Sequence, residues 1–83
     1  MSHTPHELAA EFPQDTAILH RLKMEDGHFQ NLSEKYHEVN REIHRIESEV
    51  EAASDDRTEQ LKKTRLALID EIGSIVAKAR AAA

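Results

Sequence analysis

Eight apolar residues in the middle of the chain constrain its fold more than any other feature. Phe29, Leu32, Tyr36, Val39, Ile43, Ile46, Val50 and Ala53 follow one another at spacings of 3, 4, 3, 4, 3, 4 and 3. A strand alternates every second residue, so this period belongs to a helix. With Phe29 at heptad position a, Tyr36, Ile43 and Val50 share that position, and Leu32, Val39, Ile46 and Ala53 fall at d. Such a stripe is buried only against another helix. A partner follows the polar turn Ser54-Asp55-Asp56-Arg57, where Leu61, Arg65, Leu68, Ile72, Ile75 and Ala79 repeat at 4, 3, 4, 3 and 4. Beside them runs a second line, Leu66, Ile69, Gly73 and Val76. Two adjacent lines make a face wider than one helix covers.

Each long helix has roughly 25 residues and a length of ~38 Å. A four-residue turn between them favours an antiparallel hairpin. Charge agrees: residues 28–53 carry three Lys/Arg against six Asp/Glu, and residues 58–83 carry five against three. Upstream, Thr4-Pro5-His6-Glu7 is a helix start, with Thr4 as cap, Pro5 at the first position and Glu7 completing a capping box. Pro13 forces Phe12 out of the helical region and opens a second short helix, Pro13 to Glu25, with Ile18, Leu19 and Leu22 on one face. Asp26-Gly27 breaks it, and Asp26 is placed to cap the long helix. Ser54 or Asp55 is placed to cap the last one, which reaches Ala79 before a fraying tail.

Composition narrows function. With 83 residues, 39% hydrophobic content and three aromatics, the chain has too little apolar bulk to enclose a cofactor. It has no Cys, hence no thiolate nucleophile and no Cys-ligated metal. The uncharged stretch Ile72 to Ala77 is far shorter than the ~20 residues of a membrane span. The start, Met1 to Pro5, has neither the basic nor the apolar region of a secretory signal.

Phe12-Pro13, then Leu19-His20-Arg21-Leu22-Lys23, an acidic break, Phe29 and the long heptad helix form one distinctive run. Leu61-Lys62-Lys63-Thr64-Arg65-Leu66-Ala67-Leu68-Ile69-Asp70-Glu71-Ile72 after the turn forms another. Together they resemble the YdcH-like family of small bacterial proteins over about residues 12 to 76. Ile69 departs from the pattern, since such proteins often carry Lys before the Asp-Glu pair. The resemblance implies a helical hairpin and carries no activity with it.

Six histidines stand out. His37 and His44 fall at b and Asn40 at e, a polar line beside the seam. A metal site or a pH-sensitive interface is one reading of them. However, seven residues separate the two histidines by ~10 Å along the helix, too far to share an ion. Hydrogen-bonding side chains at the edge of a helix interface are the simpler expectation. His3 and His6 belong to the terminus, and His20 and His28 have no evident partner. Asp70 and Glu71 are adjacent and point ~100° apart, so they form no catalytic dyad. Lys62, Lys63, Arg65, Lys78 and Arg80 could meet phosphates, but a net charge of −5 opposes a polyanion, and pairing across the hairpin is the cheaper explanation. Arg65 sits on the seam, where a polar residue fixes register. Gly73 suggests the close approach of another helix.

The expected protein is all-α: an antiparallel, coiled-coil-like hairpin with a shorter N-terminal helix. Residues 1–12 form an extension, 13–80 the single domain and 81–83 a frayed tail. Its core and self-association seam is Phe29, Leu32, Tyr36, Val39, Ile43, Ile46, Val50, Leu61, Leu66, Leu68, Ile69, Ile72, Ile75 and Val76, with His37, Asn40 and His44 as a polar interface. The expected role is a cytoplasmic, non-enzymatic interaction module that forms a homo-oligomer, most simply a dimer with a four-helix core. It has no cofactor or metal, no membrane span and at most an additional protein partner. A nucleic-acid-associated regulator using the basic face of the last helix is the alternative.

Overall fold

A computed structural model of the chain describes residues 7–48 and 52–82. They form α1 (Leu8–Glu11), α2 (Thr16–Glu25), α3 (Gly27–Glu47) and α4 (Asp55–Ala82), with no strand among them. The all-α hairpin is therefore present, with α3 and α4 antiparallel along a molecule 43 Å long.

Helix boundaries follow local chemistry. Asp26 caps α3, its Oδ1 accepting from the Phe29 backbone N–H at 3.0 Å. Ser54 caps α4, accepting from Arg57 N–H at 3.1 Å, and Asp55 and Asp56 then sit in a first turn that favours negative charge. α2 begins at Thr16, three residues later than Pro13 suggests, because Asp15 N–H closes a turn onto Phe12 O at 3.1 Å. α1 starts after Glu7, whose backbone is extended. Thr4 and Pro5 lie outside the described residues.

The hairpin connection also differs from the expected 54–57 turn. α3 ends at Glu47, and Ser48 turns its hydroxyl onto Arg45 O at 3.2 Å. That local bond offers the backbone an alternative to further helix. The connection runs over residues 48–54, and Val50 lies outside the described residues. Cross-hairpin partners 42–57, 47–62 and 40–65 centre the hairpin on this segment.

One core holds the molecule together. Leu8, Leu19, Leu22, Phe29, Leu32, Tyr36, Ile72 and Val76 are buried against one another. Leu8 contributes from the segment read as an extension. At ~100° per residue, Ser33 and His37 on α3 and Ile69, Gly73 and Arg80 on α4 turn to the same side of the hairpin. This is the side that α1 and α2 cover. Arg80 donates to both carboxylate oxygens of the buried Asp15, at 3.1 and 2.5 Å, which ties the last turn of α4 to the start of α2. Gly73 faces the Phe12 ring, so the close approach there comes from an aromatic side chain of the N-terminal segment. A Cβ at Gly73 would stand 3.7 Å from Phe12 Cζ, an ordinary contact. Gly73→Ala is thus expected to raise stability by ~0.5–1 kcal/mol through helix propensity. A lower melting temperature in the variant would mean the ring has no such room.

Candidate functional site

The seam of α3 is deepest along a different line from the heptad one. Positions a are sealed: Phe29, Tyr36 and Ile43 are at most 1% exposed. Positions e follow them inward, for Ser33 and Asn40 are buried. Val39 and Ile46, at d, are only half-buried. A straight α-helix drifts ~20° per heptad against a repeat of 3.5, and α1 and α2 add cover on the e side.

The d side is left without a third helix. Val39 and Ile46 from α3 and Thr64, Leu68 and Ile75 from α4 make a half-buried strip there, continuous with the buried Leu32. Leu61 lies half-buried at the same end of the hairpin. Polar side-chain contacts border the strip: a His28–Glu71 hydrogen bond at 3.1 Å and an Arg57–Glu42 ion pair. Ile69, Ile72 and Val76 are turned inward to the core. Leu66 stands apart, 60% exposed, because it points ~120° round α4 from Ile72, past the end of α1.

Between the two faces lies a polar pair. Asn40 is 1% exposed, and its Oδ1 accepts from Arg65 Nη1 at 3.1 Å. Sliding α4 by one turn would break this bond, so the pair fixes hairpin register, as buried Asn does in coiled coils. Next to it, Tyr36, Glu11, Lys62, Arg65, Leu66 and Ile69 surround an open groove of about 290 Å³. The Tyr36 phenol is pushed up to about 12, chiefly by burial and then by Glu11, against an opposing pull from Arg65. It stays neutral across the physiological range.

The other singled-out residues are dispersed. His37 is half-buried beside α2, its ring edge-on to Tyr36 with centroids 5.9 Å apart, and His44 is half-buried one heptad on. Among the described residues no three His, Cys, Asp or Glu side chains come together as a metal would need. Lys62, Lys63, Arg65 and Arg80 are engaged within the molecule: Lys62 meets Glu47 at 3.4 Å, Lys63 meets Glu59 at 4.0 Å, Arg65 holds Asn40 and Arg80 holds Asp15. No helix among the described residues is long and apolar enough to cross a membrane.

Sequence reasoning missed two arrangements. Nothing in the spacing singles out Asp15, and Arg80 borders the segment read as a fraying tail, although the two form the clasp between the start of α2 and the last turn of α4. Asn40 reads as an edge residue, and only the hairpin register brings it to Arg65. A polar residue at e one turn from a fully apolar a was the one available signal.

The family model for the Protein of unknown function (DUF465) matches residues 29–76, from the third residue of α3 through most of α4. The chain belongs to the DUF465 family. The YdcH-like resemblance is consistent with that membership. No curated protein and no solved structure matches the chain significantly. The matched span of this DUF465 protein holds the Asn40–Arg65 pair and the whole of the uncovered strip, while α1 and α2 lie outside it.

Proposed function

We propose that this DUF465 protein is a non-enzymatic helical interaction module whose partner is a second copy of itself. The observation that carries this reading is the strip of Val39, Ile46, Leu68 and Ile75, only half-buried on the face of the hairpin that α1 and α2 leave open. Contiguous apolar surface of this kind marks an interaction site. Two further features favour a second copy. The two-helix face is as long as the 21-residue α3, about 31 Å, and roughly 20 Å across, so it offers about 600 Å² per subunit, the low end of specific interfaces. α3 carries four acids against three Lys/Arg and α4 six Lys/Arg against five acids, a small complementarity, and a two-fold axis sets α3 of each copy against α4 of the other. The result is a four-helix core flanked by the two N-terminal segments. Binding of a further protein would use the surfaces left outside that core. The nucleic-acid reading has less support, because Lys62, Lys63 and Arg65 each already hold a partner within the chain.

Sedimentation velocity from micromolar to near-millimolar concentration tests the reading. The parent should shift from monomer to dimer, and Val39→Glu with Ile46→Glu should weaken association at least about tenfold while far-ultraviolet circular dichroism stays helical. A parent that stays monomeric throughout would defeat it.

A further inference from the structure

The kink between α2 and α3 leaves the helical phase of the buried face unbroken. Asp15, Leu19 and Leu22 are buried before it, and Phe29, Ser33 and Tyr36 after it. With the half-buried Asp26 between them, these positions follow one another at spacings of 4, 3, 4, 3, 4 and 3. A single helix from Thr16 to Glu47 would keep them on one stripe. One residue prevents it. Asp26, at φ −120° and ψ 105°, is extended, and it both ends α2 and caps α3.

Straightening this kink would move residues 7–25, the arm, off their own hairpin. His28 lies beside Glu71 and Asn40 beside Arg65, so α4, which runs to Ala82, would reach only as far as the body of α2. Thr16 would stand about 15 Å beyond the level of Gly73, which Phe12 now covers. The arm would give up the core contacts of Leu8 and Leu19 and the Asp15–Arg80 clasp. The hairpin would uncover Phe29, Ile72 and Val76 at the same time. A second copy in the same state presents the same two surfaces, already complementary in shape and charge, so an exchange of arms restores the lost contacts.

We propose that α1–α2 is an exchangeable arm: with Asp26 helical, each arm docks on the hairpin of a second copy, and Asp15 meets Arg80 of that copy. The exchange uses the covered side of the hairpin and leaves the strip of Val39, Ile46, Leu68 and Ile75 free. It neither needs nor excludes association through the strip. Closed and exchanged forms share their contacts, so the hinge and the protein concentration set the balance. Asp26 and Gly27 are poor residues for a helix interior, and the Asp26 cap exists only in the bent form, so both hold the dilute chain closed.

Charge exchange at the clasp tests this in the full chain. Every chain carries Val39→Glu and Ile46→Glu, which removes association through the strip. Asp15→Arg in one chain and Arg80→Asp in another each place like charges at the clasp, in a closed monomer and in an exchanged homodimer alike. Only an exchanged heterodimer of the two pairs Arg with Asp at both clasps. Refolded together from urea at high micromolar concentration, the two variants should form a heterodimer at least about tenfold tighter than either homodimer, read by light scattering. Gly27→Pro in both chains should weaken that heterodimer at least about tenfold, because a residue before proline is kept out of the helical region. Proline suits the first position of α3 in the closed form, and a Cβ on Gly27 meets no atom within 4 Å. Asp26→Ala, which removes the cap and admits helix, should instead tighten it about threefold or more. Sedimentation of the parent chain reads the strip separately, so the two readings fail independently. Separate monomers in the mixture, or a heterodimer that Gly27→Pro leaves intact, overturn the exchange.

Discussion

Ile43→Asp is expected to unfold the arm of the hairpin and to cost at least ~3 kcal/mol. Ile43 is 1% exposed but lies outside the main core cluster, in the part of the molecule where α3 and α4 have only each other. The substitution removes a buried aliphatic side chain, itself worth ~2 kcal/mol, and leaves a carboxylate in its place. Arg65 on the facing helix is already bonded to Asn40. Small domains have ~5–15 kcal/mol of stability in total, so the loss is a large share. His37→Ala, at a half-buried position, should cost no more than ~1 kcal/mol. Thermal melts of the two variants against the parent settle the matter. Ile43→Asp melting like the parent would mean that the α3–α4 seam is not closed at this turn.

Phe29→Ala is expected to cost ~3–5 kcal/mol, the usual range for emptying a large aromatic site. Phe29 is fully buried where the first turns of α3 meet α2 and α4, and its own backbone N–H anchors the Asp26 cap. The cavity would open at the one place where the short and long helices share a core. Leu66→Ala should change stability by less than ~0.5 kcal/mol, although Leu66 belongs to an equally regular apolar line. Urea denaturation reads both: the Phe29→Ala midpoint should fall with little change in slope. Equal losses at Phe29 and Leu66 would show that the N-terminal segment does not pack as described.

How much of this was legible beforehand depends on the range of the physics. The stripe from Phe29 to Ile46 and its counterpart from Leu61 to Ala79 determined two amphipathic helices, because helical period is a local property written in consecutive residues. Asp26 and Ser54 announced the caps for the same reason, since a cap is satisfied within three residues. A short connection between two such helices then left little choice but an antiparallel hairpin. The rest needed the tertiary structure. Val39 and Ile46 fit the heptad as well as Tyr36 and Ile43 do, yet they are only half-buried, because burial depends on which side α1 and α2 come to rest. Ser33 and Asn40 are polar in sequence and buried in space for that same reason. Asp15 and Arg80 lie 65 residues apart, and Asn40 and Arg65 lie 25 apart, so neither pairing follows from spacing within one helix. A helix determines its own faces; which face meets protein and which meets solvent is decided by the register and packing of the helices around it.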